Sequence, residues 1–145
     1  MKQSHLPRIV LIEDNPADVF MMRHALDAQG EQYQLDVLED GEQALDFVRE
    51  YCGAAYEATP CVLVLDLHLP KYDGLAILRA IRDEPALSQL QVVVVTGAIS
   101  PADEAEIRSL VVQLYRTKPT DLDELRTLAE EIFAICKDHF LTAAR

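Results

Sequence analysis

Basic residues are scarce in this chain: 13 Lys and Arg face 25 Asp and Glu, leaving a formal net charge of −12. Such a surface has no basic face to replace the counterions along a phosphate backbone, so nucleic acid is not an expected partner. Glycine is scarce as well. Only 5 of 145 residues are Gly while 50% are apolar, which is the composition of one folded domain and not of a linker or tail. Cys52, Cys61 and Cys136 are odd in number and fit neither a CxxC metal site nor a disulfide framework, which points to thiols in a reducing compartment. His5, His24, His68 and His139 are scattered, with no HExxH spacing, and each reads as a surface residue. No apolar run approaches the roughly 18 residues of a membrane span. The polar start up to Arg8 is followed by too short an apolar run before Glu13 to serve as a signal peptide, so no membrane contact and a cytoplasmic location are expected. Neither a GxGxxG nor a GxxxxGK[ST] phosphate loop is present.

What the chain does have is a set of apolar rods with chemistry at their ends. Val62-Leu63-Val64-Leu65 is an unbroken apolar run, as in a parallel strand covered on both faces, and Asp66-Leu67-His68-Leu69-Pro70 follows it. Arg8-Ile9-Val10-Leu11-Ile12 ends in Glu13-Asp14, Val92-Val93-Val94-Val95 ends in Thr96-Gly97, and Leu114-Tyr115-Arg116-Thr117 delivers Lys118-Pro119. A weaker alternation at Gln34-Leu35-Asp36-Val37-Leu38 marks a strand near a sheet edge.

Helix signals fall between these runs. Asn15-Pro16-Ala17-Asp18 places a side-chain acceptor, a proline and an acid as a helix start requires, predicting a helix over residues 16–29 that Gly30 ends. Asp40-Gly41-Glu42-Gln43 resembles a capping box for a helix carrying Ala44, Leu45 and Val48 inward to about Tyr51, before a loop over 53–60. Asp73-Gly74 opens a helix with Leu75, Leu78 and Ile81 in helical spacing, and the Pro85 region turns the chain toward the valine strand. Ser100-Pro101-Ala102-Asp103 repeats the first helix start. Thr120-Asp121-Leu122-Asp123 begins the last helix, whose inward face is read as Leu122, Leu125, Ala129, Ile132 and Cys136. Strand then helix, five times over, predicts an α/β domain: a five-stranded parallel sheet with helices on both faces.

In such a sheet the carboxyl ends of the strands gather Glu13, Asp14, Asp66, Thr96 and Lys118. Two carboxylates ~5 Å apart repel by about 3 kcal/mol at an effective dielectric near 20, so three of them call for a cation or a raised pKa. A hard divalent ion with oxygen ligands fits, and Mg²⁺ is the natural candidate. With a lysine ammonium and a threonine hydroxyl beside it, Asp66 is placed to accept a phosphoryl group.

On Glu13-Asp14, the Leu65-to-Pro70 strand end with Asp73-Gly74 behind it, Thr96-Gly97 and Lys118-Pro119, the sequence resembles the receiver domains of two-component response regulators. The wording of residues 13–18 and of 118–122 resembles the single-domain regulators associated with bacterial phytochrome kinases. The resemblance covers about residues 8–135 and leaves no room for a DNA-binding domain, so one receiver domain over 1–145 is expected, its last helix reaching about 140. It implies a (βα)5 flavodoxin-like fold and a phosphoacceptor at Asp66, supplied by a phosphohistidine on a sensor histidine kinase. It implies direct Mg²⁺ ligation by Asp14, Asp66 and the backbone carbonyl of His68, with Glu13 acting through water. Thr96 and Tyr115 would be the switch pair, Lys118 a catalytic cation, and the Lys118-Pro119 bond cis. The chain would signal rather than turn over substrate, through the face made by the fourth helix, last strand and fifth helix.

Two other readings compete. A haloacid-dehalogenase-type phosphatase also uses a strand-end aspartate with Mg²⁺, but needs an aspartate where this chain has His68. A binding module that no longer accepts phosphate would have no use for the full set of acceptor residues. Two departures from the receiver pattern bear on the signalling face: residues 110–113 lack the usual Gly-Ala turn, and Gly97 leaves the site open. Leu128, Phe133, Ile135 and Phe140 broaden the apolar stripe of the last helix, which suggests either a homodimer through it or cover for the core's lower edge.

Overall fold

The computed structural model describes residues 6–52, 62–69, 72–87, 90–97 and 100–143; the loop expected over 53–60 lies outside them. Strands and helices alternate: β1 (Arg8–Ile12), α1 (Pro16–Asp27), β2 (Gln34–Leu38), α2 (Gly41–Cys52), β3 (Val62–Leu65), α3 (Gly74–Asp83), β4 (Val92–Thr96), α4 (Pro101–Ser109), β5 (Leu114–Thr117) and α5 (Leu122–Ala143). A short 3-10 turn at Pro85–Leu87 leads into β4. The strands form one parallel sheet in the order β2-β1-β3-β4-β5. The order reverses between β1 and β3, which opens a crevice at their carboxyl ends.

Burial explains the sequence pattern. The central strands β3 and β4 are buried throughout, whereas the edge strands β2 and β5 are only half covered. Alternate residues feed two cores: Val10, Leu63 and Val94 face α2, α3 and Ile107 of α4, while Leu11, Val64 and Val93 face α1 and α5. Continuous valine and leucine runs are needed because both faces are dry.

The helix starts form as their sequences dictate. Asn15 Oδ1 accepts from the Ala17 N–H (2.9 Å), Asp73 Oδ1 from the Leu75 N–H (3.0 Å) and Ser100 Oγ from the Asp103 N–H (3.1 Å). At α2, Asp40 Oδ1 accepts from the Gln43 N–H (2.8 Å), but Gln43 Oε1 reaches back to the Glu39 N–H (2.9 Å), one residue earlier than a capping box requires. Helix α1 stops at Asp27, short of residue 29, and Gly30 takes a left-handed φ of 73° just beyond it.

One expectation about α5 is corrected, and one of the two readings of its broad apolar stripe gains support. Leu122, read as inward-facing, is 61% exposed, because the first turn of α5 overhangs the sheet end and the buried stripe begins at Leu125. Leu128 and Phe133, which broaden the stripe, lie in the α1–α5 core of this same chain, and Ile135 packs against it. Their apolar surface is thus used within one chain. The end of α4, where the usual Gly-Ala turn is missing, is irregular: Val111 adopts φ 54°, a region that a β-branched residue occupies at a cost.

Candidate functional site

Sheet hydrogen bonding runs one residue beyond the central strands and sets the first acids. The Glu13 N–H donates to Leu38 O (3.0 Å) and the Asp66 N–H to Ile12 O (3.1 Å), which fixes Glu13 and Asp66 side by side at the crevice. Both are buried, while Asp14 is exposed at the rim. Glu13, Asp14 and Asp66 each present a carboxylate oxygen within 4.8 Å of the others. The His68 N–H donates to Asp66 Oδ1 (2.9 Å), holding the carboxylate from the far side.

Lys118 enters from the end of β5, where its N–H donates to Thr96 O (2.8 Å). Its Nζ lies 3.0 Å from Asp66 Oδ2, 3.1 Å from Glu13 Oε1 and 2.7 Å from Asp18 Oδ2. A cavity of about 280 Å³ opens at these groups and runs between α1 and α5 over an apolar floor that includes Leu11, Val64 and Val95. Burial, together with the charge of Asp66, lifts the Glu13 carboxyl to about 7 against the opposing pull of the Lys118 hydrogen bond and the Asn15 N–H. For Lys118, burial pulls the pKa down, but hydrogen bonds to Asp18, Asp66 and Glu13 outweigh it and raise the ammonium above its ordinary value.

Four carboxylates around one ammonium leave the site short of positive charge, and its donors are all hard oxygens. That donor set fits a divalent cation of the Mg²⁺ or Mn²⁺ type and does not fit a softer metal that wants nitrogen or sulfur.

The remaining expected residues sit less centrally. Thr96 ends β4, fully buried, with its Oγ1 lacking any hydrogen-bond partner; it continues the side of Val92 and Val94, away from the cavity floor at Val95. Tyr115 is half-buried beside Val94 and packs against the α2–α3 core. The His68 side chain is exposed. The Lys118–Pro119 peptide, expected to be cis, is trans. The trans form is the lower-energy one by about 0.5–1 kcal/mol for an X–Pro bond, and Lys118 reaches all three acids with it. Asp18 was read only as a helix-start acid. The structure makes it the nearest partner of Lys118, 100 residues away in sequence. The available signal was its place in the first turn of a helix leaving the same sheet edge.

The profile of the response regulator receiver domain matches residues 9–130. This chain belongs to that family. The receiver domain is 35% identical over 124 residues to the probable methanogenesis regulatory protein FilR2 of Methanothrix harundinacea, covering 86% of this chain and 79% of that one. It is 30% identical over 131 residues to response regulator Rcp1 of Synechocystis, covering 90% and 89%. Among solved structures it superposes on the phosphorylated cyanobacterial phytochrome response regulator RcpA with a TM-score of 0.77 at 31% identity, covering 88% of this chain and 91% of that one. The Mn²⁺-bound form of Rcp1 gives 0.74 at 32% identity, covering 87% and 91%. Membership of a signalling family, together with His68 where a phosphatase needs an aspartate, leaves the dehalogenase-type reading without support. No helix among the described residues is long and apolar enough to cross a membrane.

Proposed function

We propose that this receiver domain accepts a phosphoryl group on Asp66 from the phosphohistidine of a sensor histidine kinase. A kinase of the bacterial phytochrome type is supported by the likeness to Rcp1 and RcpA. The observation that carries the reading is the Lys118 ammonium set 3.0 Å from Asp66 Oδ2 at the rim of an acid-lined crevice. In the transfer, an Asp66 carboxylate oxygen attacks phosphorus, the P–N bond breaks and the imidazole departs with the bonding pair. Lys118 balances the charge on the phosphoryl oxygens, and Thr96, whose hydroxyl has no partner, donates to one of them by turning about its side-chain bond. Asp14, Asp66 and the His68 carbonyl would hold a Mg²⁺ ion, with Glu13 acting through water, and the ion would supply the positive charge that the four acids lack.

Movement of Thr96 toward the phosphoryl group vacates space on the side where Tyr115 is half-buried, and the α4–β5–α5 face repacks. A swing from 1:99 to 99:1 between two such states needs about 5.5 kcal/mol of differential binding. We place the exchange in the cytoplasm, with the chain acting as a single receiver domain whose only chemistry is its own phosphorylation and dephosphorylation. A homodimer on the α4–β5–α5 face is tested by sedimentation with and without beryllofluoride; a monomer in both states removes it. The phosphoacceptor role is tested with acetyl phosphate and Mg²⁺, read by intact mass. Wild type gains one phosphoryl group and Asp66→Ala gains none; equal labelling of the two would overturn the assignment.

A further inference from the structure

Lys118 has three N–H donors and three carboxylate neighbours, Asp18 at 2.7 Å, Asp66 at 3.0 Å and Glu13 at 3.1 Å, so its hydrogen-bonding capacity is taken up. A phosphoryl group on Asp66 brings new acceptor oxygens to the same spot. The Asp66 contact passes to the phosphoryl group itself, and for Lys118 to serve more than one of its oxygens a second contact must open. Glu13 and Asp18 differ in what opening costs. The Glu13 side chain is 6% exposed, and a carboxylate stranded there loses its partner without regaining water. The Asp18 side chain is 40% exposed and can turn outward into solvent.

We propose that Asp18 is a positioning residue that holds the Lys118 ammonium in reserve and yields it when Asp66 carries a phosphoryl group. Asp18 acts through Lys118 and touches neither the phosphoryl donor nor phosphorus. Because it stands in the first turn of α1, its release also reports phosphorylation to α1, on the side of the crevice away from Thr96. The inference rests on the phosphoacceptor reading and adds to it a competitor that sets how strongly the site takes up a phosphoryl group.

Beryllofluoride titration in Mg²⁺ tests it with four proteins: wild type, Asp18→Asn, Asp18→Glu, and the double variant Ala17→Asp/Asp18→Asn. With the competing charge removed, Asp18→Asn binds about two- to fivefold more tightly, the range expected for a partly exposed ion pair. Asp18→Glu, which keeps a carboxylate within reach of Lys118, returns to wild type. The double variant restores an acid to the helix start but not to Lys118, and it stays with Asp18→Asn. A second readout needs neither anion nor metal: the ¹⁵N signal of the Lys118 ammonium in metal-free protein is protected from solvent exchange in wild type and loses protection in Asp18→Asn. Equal or weaker binding by Asp18→Asn overturns the role of Asp18, as does a double variant that reverts to wild type, since bulk charge then explains the effect. If wild type itself neither binds beryllofluoride nor takes a phosphoryl group on Asp66, it is the phosphoacceptor reading that fails. A normal wild type with an unchanged Asp18→Asn removes only this inference.

Discussion

The two rims of the crevice are built on opposite terms. At the α1 rim the Lys118 ammonium meets three carboxylates, and both oxygens of Asp66 accept hydrogen bonds. At the β4–α4 rim the Thr96 hydroxyl is buried without a partner; a second strained point, Val111 at φ 54°, lies at the other end of α4, by the amino ends of β4 and β5. A buried hydroxyl left unpaired costs on the order of 1 kcal/mol, and a left-handed L-residue about 1–2 kcal/mol. The contrast separates two jobs. The paired rim holds charge ready for chemistry, while the other rim holds a hydroxyl that a new acceptor at Asp66 would satisfy.

The largest break in this contrast comes from removing the cation. Lys118→Met leaves Glu13 and Asp66 buried without an ammonium, and since Lys118 is itself about a third exposed, the loss is discounted to about 2–3 kcal/mol in metal-free buffer near pH 8. The pH dependence has a definite sign. The Glu13 carboxyl sits near 7 in the folded protein against an ordinary value of 4.5, so the folded chain binds the proton longer than the unfolded one. The Glu13 contribution to metal-free stability is therefore fully present below about 4.5 and is lost as pH rises through 7. Without Lys118, which opposes that shift, the decline extends to higher pH. Urea melts in EDTA from pH 5 to 8.5 measure both; a Lys118→Met profile parallel to wild type would show that the ammonium does not stabilise the acids.

At the far end of α4, across the sheet from the crevice, the target is Val111. Its strained turn is held from outside: Arg82 of α3 donates to Leu110 O (2.8 Å), Val111 O (2.8 Å) and Leu90 O (2.7 Å). The Val111 side chain is exposed and packs little, so glycine relieves the backbone at the cost only of a larger entropy loss on folding. Val111→Gly should gain about 0.5–1 kcal/mol, a rise in Tm of roughly 2–4 °C for a domain of this size. A lower Tm would mean that the turn is not the strained element.

These outcomes also bear on how far the sequence could be read. The strand ends were legible because Glu13, Asp66 and Thr96 end or directly follow apolar runs, and parallel packing then brings Glu13, Asp14 and Asp66 together with Lys118 from the more polar end of β5. Asn15, Asp73 and Ser100 were legible as caps because their bonds are local. What escaped depends on long-range approach. The Asp18–Lys118 pair joins residues 100 positions apart, and the Arg82 clamp reaches 28 and 29 residues onward to the end of α4. Leu122 failed for a different reason: helical spacing fixes which residues share a stripe, but not where the helix first meets the sheet.

The smallest effect is the most telling one. Thr96→Val replaces an unpartnered hydroxyl by a methyl of nearly the same size in a fully buried position. At an ordinary buried threonine this substitution breaks a hydrogen bond and destabilises. Here there is no bond to break, and desolvation of the hydroxyl is relieved, so stability should be unchanged or higher by under about 1 kcal/mol. Phosphoryl uptake should persist through Asp66 and Lys118, whereas the change at Tyr115, followed by its ring signals on adding beryllofluoride, should be lost. A destabilised Thr96→Val that still moves Tyr115 would place the switch elsewhere. Retained stability with a silent Tyr115 would instead mean that the hydroxyl is kept for the phosphorylated state, at the expense of the resting one.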